Sequence, residues 1–232
     1  MTTALPIPKR WIALVCIVVA SMSVAGCSSA SADTNSSRSS TAPPVGVVGD
    51  SITYLSRAAI AHAISAWPYR IEAVEGKTIA DMTPLLESKI MKGSDGSPHS
   101  LFINLGTNDV VHRNRNWLTS WNTLMADTSH VPCEVLFTIN QFADAYSRPG
   151  DPKAEAINRA IVGAHEADPS RVHIIDWNAA VLANHHAITA AQAAGTKLPA
   201  PLIRRDGIHP TPQGGLWIAR HIRSELNGVC RP

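Results

Sequence analysis

From Val45 onward, short runs of β-branched and apolar residues alternate with longer stretches in which apolar residues recur every three or four positions. That alternation predicts βαβ units around a parallel sheet. Five strands are expected, at Val45 to Gly49, Arg70 to Val74, Leu101 to Leu105, Glu134 to Ile139 and Arg171 to Ile175. Each is short, bounded by Gly, Pro or polar clusters, and apolar enough to be covered on both faces.

Between them the spacing turns helical. Ile79, Met82, Leu85, Leu86 and Ile90 share one helix face ahead of a stop at Gly93. Asp151-Pro152 supplies a cap and a first-turn proline for a helix burying Ile157, Ala160, Ile161 and Ala164. A last helix, about Pro212 to Asn227, presents Leu216, Ala219, Ile222 and Leu226. The expected architecture is an α/β fold, a three-layer α/β/α sandwich with a five-stranded parallel sheet in flavodoxin-like order.

Ahead of this domain the pattern is different. Lys9-Arg10 precede an apolar run from Trp11 to about Ala25, shorter than the roughly 20 residues of a spanning helix, so residues 1–26 read as an export signal. Val24-Ala25-Gly26-Cys27 resembles the lipobox of bacterial lipoproteins, which implies lipidation of Cys27 and anchoring to the outer face of the membrane. The alternative is cleavage after Ala30-Ser31-Ala32, releasing a soluble secreted protein. Residues 27–44, mostly Ser, Thr, Ala and Pro, read as a flexible tether, leaving 45–232 as the folded domain.

Composition narrows the function classes. Twenty basic and 18 acidic residues are scattered along 232, for a net charge of +2, so no basic stripe marks a nucleic-acid partner. Of four cysteines, Cys133 and Cys230 remain in the mature domain; one disulfide is expected in an oxidising compartment, two unpaired buried thiols being the alternative. Helices that cross over a parallel sheet end near the N-terminal edge of the strands. Cys133, starting the fourth strand, and Cys230, following the last helix, should therefore meet opposite the ligand-binding edge.

The candidate chemistry sits at that ligand-binding edge. Gly49-Asp50-Ser51-Ile52 directly follows the first strand and opens a helix, which places Ser51 at the C-terminal end of the sheet. A serine hydroxyl is a poor nucleophile until an imidazole takes its proton; His209, on a loop returning to the same edge, is the candidate base. Asp206, three residues earlier, can accept the other ring N–H and fix the tautomer.

Other chemistries fit less well. The α/β-hydrolase G-x-S-x-G elbow is missing. Gly76-Lys77-Thr78 resembles the end of a Walker A loop but has Ile71 where that loop needs glycine. No H-E-x-x-H occurs, and His185-His186 would diverge on a helix, so neither metal nor cofactor is expected.

Taken together, Gly49-Asp50-Ser51, Gly76, Gly106-Thr107-Asn108-Asp109 and Asp206-Gly207-Ile208-His209 resemble the four blocks of the SGNH/GDSL hydrolase family, in order and across the whole mature domain. Ile52 stands where the family name has Leu. The resemblance implies a Ser51, His209, Asp206 triad and an oxyanion hole built from the backbone N–H of Ser51 and Gly76 with the side-chain amide of Asn108. Glycine at 76 fits that role if a Cβ there would block the reacting oxygen or forbid the backbone dihedrals.

The implied reaction is hydrolysis of a carboxylic ester, with short acyl groups such as acetyl esters on envelope glycans as substrates. Specificity is expected from Asn140 to Gly150 and from the Ala-rich insertion Ala179 to Arg205, where no strongly apolar lid is visible. An envelope O-acyltransferase using the same triad is the alternative; a non-catalytic cell-wall-binding lipoprotein is the alternative of another class.

Overall fold

The computed structural model describes residues 42–92, 96–141 and 151–231. The expected signal segment, the lipobox-like run with Cys27, the alternative cleavage site at Ala30-Ser31-Ala32 and the expected tether up to residue 41 lie outside the described residues. So do the helix stop at Gly93 and the specificity segment 142–150.

Five strands form one parallel sheet: β1 (Val45–Gly49), β2 (Tyr69–Ala73), β3 (Ser100–Asn104), β4 (Cys133–Phe137) and β5 (Val172–Ile175). Their spatial order, β2-β1-β3-β4-β5, is the flavodoxin-like one, and each strand begins within a residue of its expected position. Val47 pairs with Ile71 on one side and Phe102 on the other, and Leu136 pairs with Ile174.

Because side chains alternate along a strand, the sheet feeds two cores. Val48, Leu101, Ile103, Leu136 and Val172 point to one face and join Ile79, Met82, Leu86, Leu124, Ile157 and Ile161. Val45, Val47, Phe102, Val135, Phe137 and Ile175 point to the other and join Ile52, Ile60, Trp177, Ile218 and Ile222. The first helical layer is α2 (Ile79–Leu85), α4 (Trp117–Asp127) and α5 (Pro152–Ala167); the second is α1 (Ser51–Ala63), α6 (Trp177–Ala194) and α7 (Pro212–Asn227). A single short helix, α3 (Thr107–Val111), follows β3.

The helix expected from Ile79 to Ile90 changes character midway. Pro84 lies inside α2 and cannot donate to the ladder, and the continuation Leu86–Met91 is wound as π-helix while Leu86 and Ile90 stay buried. The Ala-rich insertion also resolves into structure, since its first half is α6, an 18-residue helix of which only Trp177 and Val181 are buried. Alanine's helix propensity explains why so few packing contacts suffice.

Cys133 and Cys230 are disulfide-bonded, with Cα atoms 5.4 Å apart and a sequence separation of 97. The bridge ties the end of α7 to the start of β4, at the sheet edge opposite Ser51. Nearby, buried Glu134 accepts hydrogen bonds from Arg171 and Thr128, so this edge is closed by covalent and ionic links together.

Candidate active site

Ser51 is the first residue of α1, immediately beyond β1. Its N–H is one of the four at a helix start with no intrahelical acceptor. Asp50 caps the helix by accepting from Ile52 N at 2.9 Å, and this fixes the turn that presents the hydroxyl. The turn is tight because α1 folds straight back over the strand: a Cβ on Gly49 would lie 2.0 Å from Thr53 Oγ1.

His209 reaches Ser51 from a narrow hairpin. Thr211 N donates to Leu202 O, Arg204 N donates to His209 O, and Ile203 bridges Pro210, which leaves Asp206 and Gly207 at the tip. Gly207 takes φ +75°, a backbone state that a Cβ would strain. Asp206 Oδ1 accepts from both Ile208 N and His209 N at 2.9 Å, so the carboxylate braces its own turn.

The remaining oxygen completes a chain: His209 Nδ1 lies 2.9 Å from Asp206 Oδ2, and His209 Nε2 lies 3.1 Å from Ser51 Oγ, 158 residues away in sequence. Partial burial alone would raise the Asp206 carboxyl. The bonds from His209 N, Ile208 N and the His209 ring outweigh it, and the group is held below the ordinary aspartate range.

The rest of the edge supports this array. Asn140, just past β4, donates to Gly207 O at 2.9 Å and holds the hairpin tip to the sheet. At the hairpin base, Gly214 in the first turn of α7 permits close approach: a Cβ there would sit 2.0 Å from Leu202 O. Next to it Gly215 packs against Ser56 of α1, so the helix carrying Ser51 and the helix anchoring the hairpin are seated on one another.

Asn108 lies in α3, buried, and its Nδ2 donates to Asp50 Oδ2 at 3.2 Å. An amide carries two hydrogens, so one donor remains beyond this bond. Gly76 lies on the loop between β2 and α2, with φ +72° and nothing within 4 Å of a built Cβ. Backbone conformation, not a steric block, therefore accounts for glycine here. Its link to the edge is indirect, through Ile79 N, which donates to Asp109 Oδ2 at 2.9 Å.

Asp50 and Asp109 were not assigned roles from sequence, yet both are fully buried beside the array. Desolvation raises the Asp50 carboxyl to about 7, against the opposing pull of Ile52 N, the His209 charge and the Asn108 amide. Asp109 is raised as well, chiefly by desolvation, and is partly offset by Ile79 N and Asn114. Among the described residues no group of three or more His, Cys, Asp or Glu could hold a metal ion.

No protein-family model and no curated relative matches the sequence. Solved structures do. The acetyl xylan esterase AlAXEase is 17% identical at TM-score 0.62, covering 79% of this chain and 99% of its own. The C-terminal catalytic domain of peptidoglycan O-acetyltransferase A from Streptococcus pneumoniae is 17% identical at TM-score 0.60, covering 81% and 94%. A protein from Desulfitobacterium hafniense described as lipolytic and of the G-D-S-L family is 10% identical at TM-score 0.57, covering 78% and 98%. At such identities the likeness is one of fold.

Proposed function

From a chain with the SGNH/GDSL hydrolase fold and a hydrogen-bonded Ser51, His209, Asp206 array, we propose a serine esterase acting through an acyl-enzyme. The observation that carries this reading is the 3.1 Å contact between His209 Nε2 and Ser51 Oγ, with Asp206 on the opposite ring nitrogen. In that geometry His209 takes the Ser51 proton as Oγ attacks the acyl carbon, and Asp206 orients the ring and stabilises the imidazolium. The alcohol leaves with that proton. Water, deprotonated by the same imidazole, then frees the acid.

The charge that develops on the carbonyl oxygen is assigned to the N–H of Ser51 at the head of α1 and the second amide hydrogen of Asn108, with the N–H of Gly76 as the third donor that the family resemblance implies. Short acyl groups, acetyl above all, are the proposed substrates, with envelope glycans as the alcohol. Acetyl esters are what the name of the xylan-esterase neighbour indicates for that protein. Lipidation of Cys27 would hold the enzyme at the outer face of the membrane, where such esters lie.

The test is turnover of 4-nitrophenyl esters. Acetate and butyrate should be cleaved faster than laurate, and Ser51→Ala or His209→Ala should lose about 10³-fold or more in kcat. Faster laurate cleavage would contradict the acyl preference; unchanged turnover in Ser51→Ala would contradict the mechanism. A second reading, transfer of the acyl group to a glycan hydroxyl, is favoured by the O-acetyltransferase domain among the structural neighbours. Product analysis separates the two: hydrolysis yields free acid, transfer an acylated acceptor.

A further inference from the structure

A cavity of about 410 Å³ lies between α6 and the hairpin that carries Asp206 and His209. Val181, Asn184, His185 and Ile188, one face of α6, form one wall; Arg204 and Arg205 form part of the other. No aspartate or glutamate is among its lining residues. Arg204 donates its Nε–H to Pro210 O at 3.0 Å, which fixes that guanidinium to the hairpin. Arg205 makes no hydrogen bond or ion pair with any described residue. A cationic fork without an ion-pair partner, beside a second fork already held in place, matches the paired oxygens of a carboxylate or phosphate.

Its place relative to the reacting atoms decides what it would bind. Arg205 and Gly207, both lining it, flank Asp206, whose Oδ2 is 2.9 Å from His209 Nδ1. With Cα atoms about 3.8 Å apart along the chain, the cavity begins within about 10 Å of the imidazole, close enough for an alcohol that leaves there to extend into it. The imidazole delivers its proton to the departing alcohol, so the alcohol half of the ester lies on its side of the site. The acyl half lies toward the head of α1.

We propose that this cavity receives the alcohol portion of the ester, and that the alcohol is an acidic glycan whose oxyanion is held by Arg205 together with Arg204. The inference rests on the esterase reading above and adds to it a charge class of substrate. The cavity supplies the pieces such a ligand needs: apolar Val181 and Ile188 for a sugar face, His185 for a hydroxyl, and two guanidinium groups for the anion, while Asn184 braces the wall by donating to Ala200 O and accepting from Leu202 N.

Three acetylated methyl glycosides test it: a glucuronoside, a glucoside 6-phosphate and a neutral glucoside, each compared by kcat/KM. The acidic esters should exceed the neutral one by about 10-fold or more at low salt, with the gap closing at high salt as the charges are screened. Whichever acidic ester leads identifies the anion as carboxylate or phosphate.

Arg205→Gln should bring the acidic-to-neutral ratio to within about twofold of one. Arg220→Gln, on the exposed side of α7, should leave the wild-type ratio intact. Equal rates in the wild type, or a preference that survives Arg205→Gln, would overturn the proposal. If 4-nitrophenyl acetate is cleaved while the ratio is one, the anion site alone fails. If the wild type cleaves no ester, the esterase reading fails and this inference with it.

Discussion

Asp50 occupies an unusual position for a carboxyl group: fully buried, one residue before the proposed nucleophile, and bonded to both Ile52 N and the Asn108 amide. Burial lifts it from an ordinary 3.8 to about 7, so the folded protein holds this proton at pH values where the unfolded chain has released it. The stabilisation that results is complete below the unfolded pKa and is lost as pH rises through about 7. The loss amounts to on the order of 3 to 5 kcal/mol. Urea unfolding at several pH values should show the wild type losing more stability between mildly acid and mildly alkaline solution than Asp50→Asn. Parallel curves for the two proteins would contradict the assignment. Glu134, also raised by burial but with no Asp50 charge among its causes, contributes to both curves alike, whereas Asp109, whose charge helps to raise Asp50, enters the difference together with it.

At the scale of elements, catalysis is proposed to depend on how the hairpin is seated between α1 and α7. Gly214 is the point of closest approach, and the atom that a Cβ would meet there, Leu202 O, is backbone and cannot swing aside. Gly214→Ala should therefore displace the hairpin and lower kcat on 4-nitrophenyl acetate by about 10- to 100-fold, as expected for small misplacements of a catalytic group. Wild-type kcat in that variant would show that the hairpin tolerates movement. Sequence pattern had located His209 before the last helix but could not disclose this seat. A glycine pair in a first helical turn reads as weak helix former, and its purpose appears only once Leu202 and Ser56 are packed against it.

At the scale of the whole molecule, the disulfide and the proposed site occupy opposite edges of one sheet. Joining residues 97 apart restricts the unfolded chain; removing the bridge by Cys133→Ala with Cys230→Ala should cost up to about 4 to 5 kcal/mol in the chain-entropy model. Calorimetry should find a lower Tm, with kcat at moderate temperature unchanged because none of the proposed catalytic groups lies at that edge. A loss of kcat in protein that remains folded would argue for coupling across the sheet.

Much of this plan was legible in the chain. Buried parallel strands are short apolar runs with sharp ends, so β1 to β5 are legible within about two residues; placement after the strands suggests Ser51 and His209, which a contact at hydrogen-bond distance joins, and the family resemblance implies Asn108. Less accessible were features that arise only from tertiary proximity: the raised carboxyl of Asp50, the hold of Asn140 on Gly207, and the cavity between α6 and Arg204-Arg205. Asp50 in sequence is an ordinary helix cap. Its second role depends on Asn108, 58 residues away.

The central claim is that His209 activates Ser51, and reaction with a fluorophosphonate probe tests it most directly. Intact mass and peptide mapping should show one adduct per chain, on Ser51, formed by the wild type and abolished in His209→Ala. An adduct on another residue, or labelling of Ser51 that is equally fast without His209, would contradict the account.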